Sequence, residues 1–346
     1  MKYNKIIPIL VMLILLTGCK SNGNMSKHSD SFIGTFDTVI TVVAYNDSDE
    51  EYIDNYNYIR DKFKYYNDLF DIYNSYDGLV NLKDINDNAG IVPVEVNEDI
   101  LAVLKFGKEM YRETNGEVNI AFGSVLLIWE ELKEDAGAGK EINWKYYDEK
   151  LKKASKHTDI DNIIIDEDKK TVYINDADMS IDLGSIGKGF AEEMIIESMR
   201  DAGINNVLLN AGGSVVVTDP KMDDSWIVGI QNPDLNSDKQ IFMKIRLNNE
   251  AMVSSGNYQR FFTIDDKKYH HIIDKDTLYP AKNFASVTVI SDSSSRGDAF
   301  STALFNMNIE DGKKLIENID GYEALWIYDN GDVERTKGFE RYIDEK

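Results

Sequence analysis

One cysteine occurs in 346 residues, at position 19. The chain can therefore form no internal disulfide, and its folded part must rely on its core. Histidine is scarce, with four in all, and 38 Lys and Arg face 61 Asp and Glu for a formal charge of −23. A surface so short of positive charge argues against nucleic acid as a partner and against unaided adhesion to anionic lipid. It also repels anionic small ligands, so a phosphorylated ligand needs a local cation or a metal ion. No sustained repeat is present, and strands and helices do not alternate in strict βαβ order. That points to an α+β mixture rather than a doubly wound parallel sheet.

The apolar stretch from Ile6 to Leu16 is too short to span a bilayer. With Lys2 and Lys5 before it and Leu16-Thr17-Gly18-Cys19 after it, residues 1–18 read as a bacterial lipoprotein signal peptide. Cleavage leaves Cys19 as the lipidated first residue and takes the charge from −23 to −25. The expected location is the cell membrane, lipid-anchored on its extracytoplasmic face. Residues 19–31 are polar and small and read as a flexible tether, and 32–346 as the folded domain.

Along that domain, "FDTVITVVAY" (36–45) alternates as a strand, and residues 49–70 and 98–113 have helical periodicity. "EVNIAFGSVLLIWEEL" runs from a turn into an apolar helix, 134–145 reads as an exposed loop, and "NIIIDEDKKTVYIN" as a hairpin. Residues 179–183 read as a strand leading into a helix over 188–202. Later strands are expected near 226–230, 241–247, 251–254, 260–264 and 285–290, with a helix at 298–308 and a last hairpin at 322–335.

Four polar clusters interrupt the apolar segments. "SIDLGSIGKGFAEE" (180–193) has three glycines and a lysine but fits neither common phosphate loop. A Walker A count places Asp182 where its first glycine belongs, and a dinucleotide fingerprint from Gly187 ends on Glu192. Asp182 and Lys188 flank a helix start, which suits either an anion or a structural salt bridge. "NAGGS" (210–214) permits a plain hairpin or the close approach of a planar ligand. His270 and His271 stand side by side on a strand, so only one can face a given site; histidine is the natural base near neutral pH, but without further context a surface or satisfied histidine is the plainer reading. Asp298 and Thr302, at i and i+4, can converge on one hard cation, while a helix-dipole role accounts for the aspartate alone.

The order of these stretches resembles the ApbE family, the FAD:protein FMN transferases, over roughly residues 30–340. "IGTFDTVITV", "SIDLGSIGKGFA", "NVLLNAGGSVVV", "WIVGIQNP", "MVSSGNYQRFF", "YHHIIDKDTLYP" and "SVTVISDSSSRGDAFSTALF" carry the resemblance. It implies an α+β fold of mixed sheets and packed helices, with an FAD and metal cleft between two intertwined subdomains. It also implies Mg²⁺-dependent transfer of FMN from FAD to a Thr or Ser hydroxyl of an acceptor, here a membrane redox protein, with release of AMP. Carried over residue by residue, Ser185 offers its backbone oxygen to the metal with the side chains of Asp298 and Thr302. Ile33, Tyr73, Glu117, Val118, Asn119, Asp182, Lys188 and Ile272 contact FAD, and His271 is the base. Two departures stand out: Asn119 replaces an aspartate, and "DKDTLYP" has Lys275 and Leu278 in place of proline and glycine. The rival readings are an FAD diphosphatase and a flavin-binding lipoprotein without catalysis. Tyr73 favours transfer, because family members that hydrolyse FAD tend to differ there.

Overall fold

The computed structural model describes residues 25–219 and 224–345. The expected signal peptide, Cys19 and its lipid anchor lie outside them. The chain opens with strands β1 (Ser26–Thr35) and β2 (Thr38–Asn46), then helices α1 (Asp49–Phe70) and α2 (Leu82–Asp87). Next come β3 (Val94–Glu95), α3 (Glu98–Glu113), α4 (Gly123–Gly137) and α5 (Trp144–Ala154). The hairpin of β4 (Ile163–Asp166) and β5 (Thr171–Ile174) leads to α6 (Gly187–Asp201). Strands β6 (Val207–Ala211), β7 (Ser214–Val217), β8 (Trp226–Gln231), β9 (Ile241–Leu247) and β10 (Ala251–Gly256) follow. The last third holds β11 (Phe261–Ile264), β12 (Lys267–His270), β13 (Ser286–Ser291), α7 (Ser294–Asn306), α8 (Ile309–Ile316), β14 (Glu323–Ile327) and β15 (Val333–Arg335).

An eight-stranded sheet in the order β1-β2-β6-β7-β10-β13-β14-β15 forms the frame, antiparallel throughout. Its central strands are buried on both faces, and their period-two pattern divides their residues among three clusters, one of them formed by Val287, Val289, Ala324 and Trp326 with α7 and α8. Ile40, Val42, Leu209, Ala211 and Val216 join the core that includes α1, α3 and α6. Val43, Leu208, Val215, Val217 and Met252 face the opposite core, with Trp226, Ile245 and Phe339. A separate aromatic cluster joins α4 and α5 to the β11–β12 hairpin through Trp129, Tyr147 and Tyr269. The α+β class read from the sequence is the one observed, and the site lies where this cluster meets α6 and α7.

Several elements depart from expectation. The tether does not extend to residue 31, because Ser26–Ser31 already belong to β1 and pair with Ser31↔Thr41 through Ser26↔Asn46. Backbone pairing is indifferent to the polar side chains that made this stretch read as a linker, and His28 stacks on Tyr52 with ring centroids 4.6 Å apart. The loop expected at 134–145 is shorter, since α4 runs on to Gly137 and Asn143 caps α5. Residues 179–183 are extended but not in a ladder. Their N–H groups bond outside any sheet: Ile181 N–H donates to Asn86 Oδ1 at 2.8 Å, Ser180 N–H to Ser124 Oγ at 2.9 Å, and Asp182 N–H to the Ile120 carbonyl at 2.9 Å. Finally, α7 begins at Ser294 on the Ser293 cap, not at 298. Asp298 therefore sits in its second turn, too deep to serve that helix's own N-terminus.

Candidate active site

The glycine-rich loop resolves into a helix crossing. Gly189 meets α7 so closely that a Cβ would lie 2.4 Å from the Ser294 carbonyl oxygen and 2.5 Å from Asp298 Cβ. This contact lets the buried Asp298 carboxylate reach the start of α6, where helix N–H groups lack intrahelical acceptors. Gly189 N–H donates to Asp298 Oδ2 at 2.8 Å, and Lys188 Nζ lies 3.3 Å from Oδ1. Ser294 Oγ donates to the Gly189 carbonyl at 2.9 Å and locks the crossing. Because Gly189 N–H is turned toward Asp298, the carbonyl of Ser185, four residues before it, receives no helical bond among the described residues.

Below this crossing Glu192 is fully buried. Ser214 Oγ donates to its Oε2, and its Oε1 has no hydrogen-bond partner among the described residues. Burial pushes its carboxyl up to about 8, against the nearby Lys188 charge and the Ser214 hydrogen bond. Ser214 belongs to "NAGGS", which forms a plain hairpin turn with Gly212 at φ 61° and Gly213 at φ 101°. Gly212 also passes tightly against Thr38, where a Cβ would meet Oγ1 at 2.1 Å.

In front of the crossing lies a cleft of about 630 Å³, within the ~300–1,000 Å³ usual for small-molecule sites. Tyr73, Glu117, Asn119, Asp182, Ser185, His271, Ile272 and Thr302 all line it. Asp182 accepts from Gly184 N–H at 2.7 Å, yet its place in the cleft wall raises its carboxyl above the ordinary range, with Glu130 adding to the effect. Tyr73 is mostly exposed, and Asp71 Oδ1 holds its N–H at 2.6 Å. Desolvation, then Asp182 and Glu130, push its phenol up to about 12.

The two histidines differ in what they have left to offer. His270 is buried, with Nε2 2.7 Å from the Ala281 carbonyl and Nδ1 accepting from Ile272 N–H at 3.2 Å. Both nitrogens are committed. Among the described residues His271 has only Nδ1 engaged, 3.3 Å from the Arg260 carbonyl. Its ring is reached by water yet has protein around it on most sides, and this crowding, more than exposed area, sets its behaviour. Crowding first and the Arg260 charge second lower it to about 4, so the ring is neutral at pH 7 with Nε2 unprotonated.

Other expected contacts are placed differently. Val118 is wholly buried and its N–H is taken by Thr114 Oγ1 at 3.0 Å, so its side chain belongs to the core. Ile33 is exposed on β1 and does not line the cleft. Asn119 lines it, but its amide is spent on backbone: Oδ1 accepts from Ala121 N–H and Nδ2 donates to the Thr158 carbonyl, both at 2.9 Å. Lys275, one of the departures, pairs with Glu117 at 3.2 Å. Leu278, the other, holds φ 63° where glycine is more comfortable, and its carbonyl accepts from Trp129 Nε1 at 3.0 Å. Sequence reading missed Trp129, Lys133, Arg260, Phe262 and Asn306 in the lining. Only the run "NYQRFF", already part of a matching stretch, offered a signal for any of them.

The donor set suits a hard divalent cation. The Ser185 carbonyl, unbonded among the described residues, the Asp298 carboxylate and the Thr302 hydroxyl are all oxygens, and Lys188 already places a cation against Asp298. Few protein oxygens, completed by phosphate and water, make up the usual environment of Mg²⁺.

This fold, with a glycine crossing behind a cleft that holds one free histidine, places the chain in the ApbE family, whose pattern it matches over residues 36–326. It is similar to the FAD:protein FMN transferase of Klebsiella pneumoniae, at 27% identity over 72% of this chain and 75% of that protein. The Treponema pallidum protein of the same name is 28% identical over 74% of this chain and 73% of its own length. Among solved structures, the ApbE protein from Thermotoga maritima superposes with a TM-score of 0.79 at 26% identity, covering 92% of this chain and 100% of that one. The flavin transferase ApbE from Vibrio cholerae, at 21% identity and a TM-score of 0.72 over the same shares of the two chains, shares the fold.

Proposed function

We propose that this protein is an enzyme that binds FAD in the cleft and, with Mg²⁺, passes FMN to a Thr or Ser hydroxyl of an acceptor protein, releasing AMP. The observation that carries the reading is His271, whose Nδ1 is engaged and whose Nε2 has no partner among the described residues, in the same cavity as Ser185 and Thr302. The acceptor hydroxyl gives its proton to Nε2 as its oxygen attacks the phosphorus of the FMN phosphate. The bond from that phosphorus to the bridging oxygen breaks, and AMP leaves with that oxygen. Ser185, Asp298 and Thr302 would hold Mg²⁺, which supplies neutralisation of phosphate charge when bound. Lys188 adds a fixed cation, and Tyr73, Asp182, Glu117 and Ile272 form the walls against which FAD is aligned. A dianionic diphosphate beside His271 favours its charged form, which brings a base of about 4 closer to the working pH.

The acceptor is a membrane redox protein in this reading, and the enzyme is held to the extracytoplasmic face through lipid on Cys19. Incubation with FAD, Mg²⁺ and a candidate acceptor tests the activity. A fluorescent flavin band on the acceptor in a denaturing gel, with AMP release that depends on the acceptor, is expected. Equal AMP without acceptor and no labelled band would instead make it an FAD diphosphatase, and no AMP at all a binding protein.

A further inference from the structure

Arg260 stands just before β11 and faces two ways. Its backbone carbonyl accepts from His271 Nδ1 at 3.3 Å, and since a carbonyl can only accept, the neutral ring carries its proton there. Its guanidinium crosses to the β1–β2 turn, where Nη2 donates to the carbonyls of Phe36 at 2.7 Å and Asp37 at 3.4 Å. That turn puts two non-glycine residues in the left-handed region, Phe36 at φ 51° and Asp37 at φ 50°, and such backbone persists only when its surroundings hold it. Asn67 Oδ1 holds it from one side, accepting from Phe36 N–H at 2.8 Å, and Arg260 holds it from the other. The carbonyls are neutral, so the clasp leaves the guanidinium charge undiminished beside the cleft.

We infer that Arg260 is a positioning residue for His271: its carbonyl sets which ring nitrogen is free, and its clasp on the β1–β2 turn pins a positive charge beside the ring. The inference rests on the reading of His271 as the base. Lys133 on α4 is a second positive charge that acts on the ring in the same direction, while His270 at the end of β12 is held neutral by its two hydrogen bonds. The opposing carboxylates of the cleft are Asp37, Glu130 and Asp182, with Glu117 already paired to Lys275. Crowding accounts for the larger share of the depression of His271, so loss of the Arg260 charge reverses only part of it.

The test is the ring titration of His271 followed by NMR in protein free of FAD, with His271→Gln assigning its signal among four histidines. Arg260→Met should raise the midpoint by roughly half to one unit, the effect of removing one like charge across a partly wet site. Arg260→Lys should stay near wild type. If Arg260→Met fails to fold by circular dichroism, Arg260→Gln, which still can donate to the two carbonyls, takes its place with the same expectation. A midpoint that does not move in the neutral variant overturns the inference. The pH profile of single-turnover FMN transfer is then read beside it. An acid limb that rises with the NMR midpoint supports both assignments. A raised midpoint with an unmoved limb leaves the Arg260 assignment standing and overturns His271 as the base.

Discussion

His270 and His271 are chemically identical neighbours, and their hydrogen bonds alone separate them. A histidine with Nε2 given to Ala281 and Nδ1 filled by Ile272 N–H has no lone pair left for a hydroxyl proton. His271 keeps one. A positioned base contributes about 10²–10⁴ in rate, so His271→Gln should slow single-turnover FMN transfer by about that factor while FAD affinity, read by equilibrium titration, changes little. His270→Ala should lower the thermal midpoint more than the transfer rate, because its ring packs edge-on against Phe305 inside the fold. A larger transfer defect in His270→Ala than in His271→Gln would reverse the assignment. The neighbouring residues make the same point in the other direction. Asn119 stands in the cleft wall, but its amide closes a turn and reaches Thr158, so it contributes shape rather than a contact it could give away.

Helices α6 and α7 are the elements that bring the chemistry together. Neither would do so if Gly189 carried a side chain, because the backbone of α7 occupies that space. A methyl group there forces the helices apart or distorts them, and overpacking of this kind costs typically ~1–3 kcal/mol. Gly189→Ala should therefore lower stability in denaturant titrations by about that amount. It should also weaken the Mg²⁺ dependence of FAD cleavage, since the Asp298 carboxylate moves with α7. Stability and Mg²⁺ dependence both unchanged would show that the crossing yields without consequence. Asn81 plays a comparable part near Tyr73. It caps α2 in a reciprocal box with Asp84, and its amide also donates to the carbonyls of Asp68 and Asn74, so the segment bearing Tyr73 is tied at both ends.

At the scale of the whole molecule the question is how a strongly acidic protein holds a carboxyl such as Glu192 at its centre. Glu192 rises from an ordinary 4.5 to about 8 because burial penalises its charge. Between those values the folded protein keeps a proton that the unfolded chain gives up. The stability this provides is complete below about 4.5 and is lost as pH rises toward 8. Glu192→Gln cannot titrate, so its stability relative to wild type should increase across that window when unfolding is followed in denaturant. A constant difference between the two proteins from pH 5 to 8 would rule out a protonated Glu192. The other whole-molecule expectation concerns the N-terminal segment outside the described residues. Cys19→Ser should abolish lipid labelling in cells and leave the protein unprocessed or released from its lipid anchor, and normal labelling in that variant would remove the lipid-anchor reading.

Much of the frame was legible in the sequence because it depends on neighbours along the chain. Helical periodicity marked the helices at about 49–70 and 98–113, and apolar runs on either side of a turn marked the hairpins around 163–174 and 207–217. The i, i+4 spacing of Asp298 and Thr302 followed from α-helical geometry wherever α7 began. Motif order along the chain was enough to point to the ApbE family. Other outcomes were decided only by contacts between distant residues. Ser26–Ser31 became strand because β2 offered a partner, and residues 179–183 stay out of any sheet because Asn86, Ser124 and the Ile120 carbonyl take their N–H groups. Val118 went to the core and Ile33 to an exposed edge, although both belong to stretches that resemble ligand contacts. The lone pair on His271 depends on a carbonyl 11 residues away, and the charge beside it on a turn 224 residues away. Local pattern determines which residues can share a helix face or a strand; only packing decides which of their polar atoms remain unpaired, because hydrogen-bond capacity is used up by whatever the fold brings opposite.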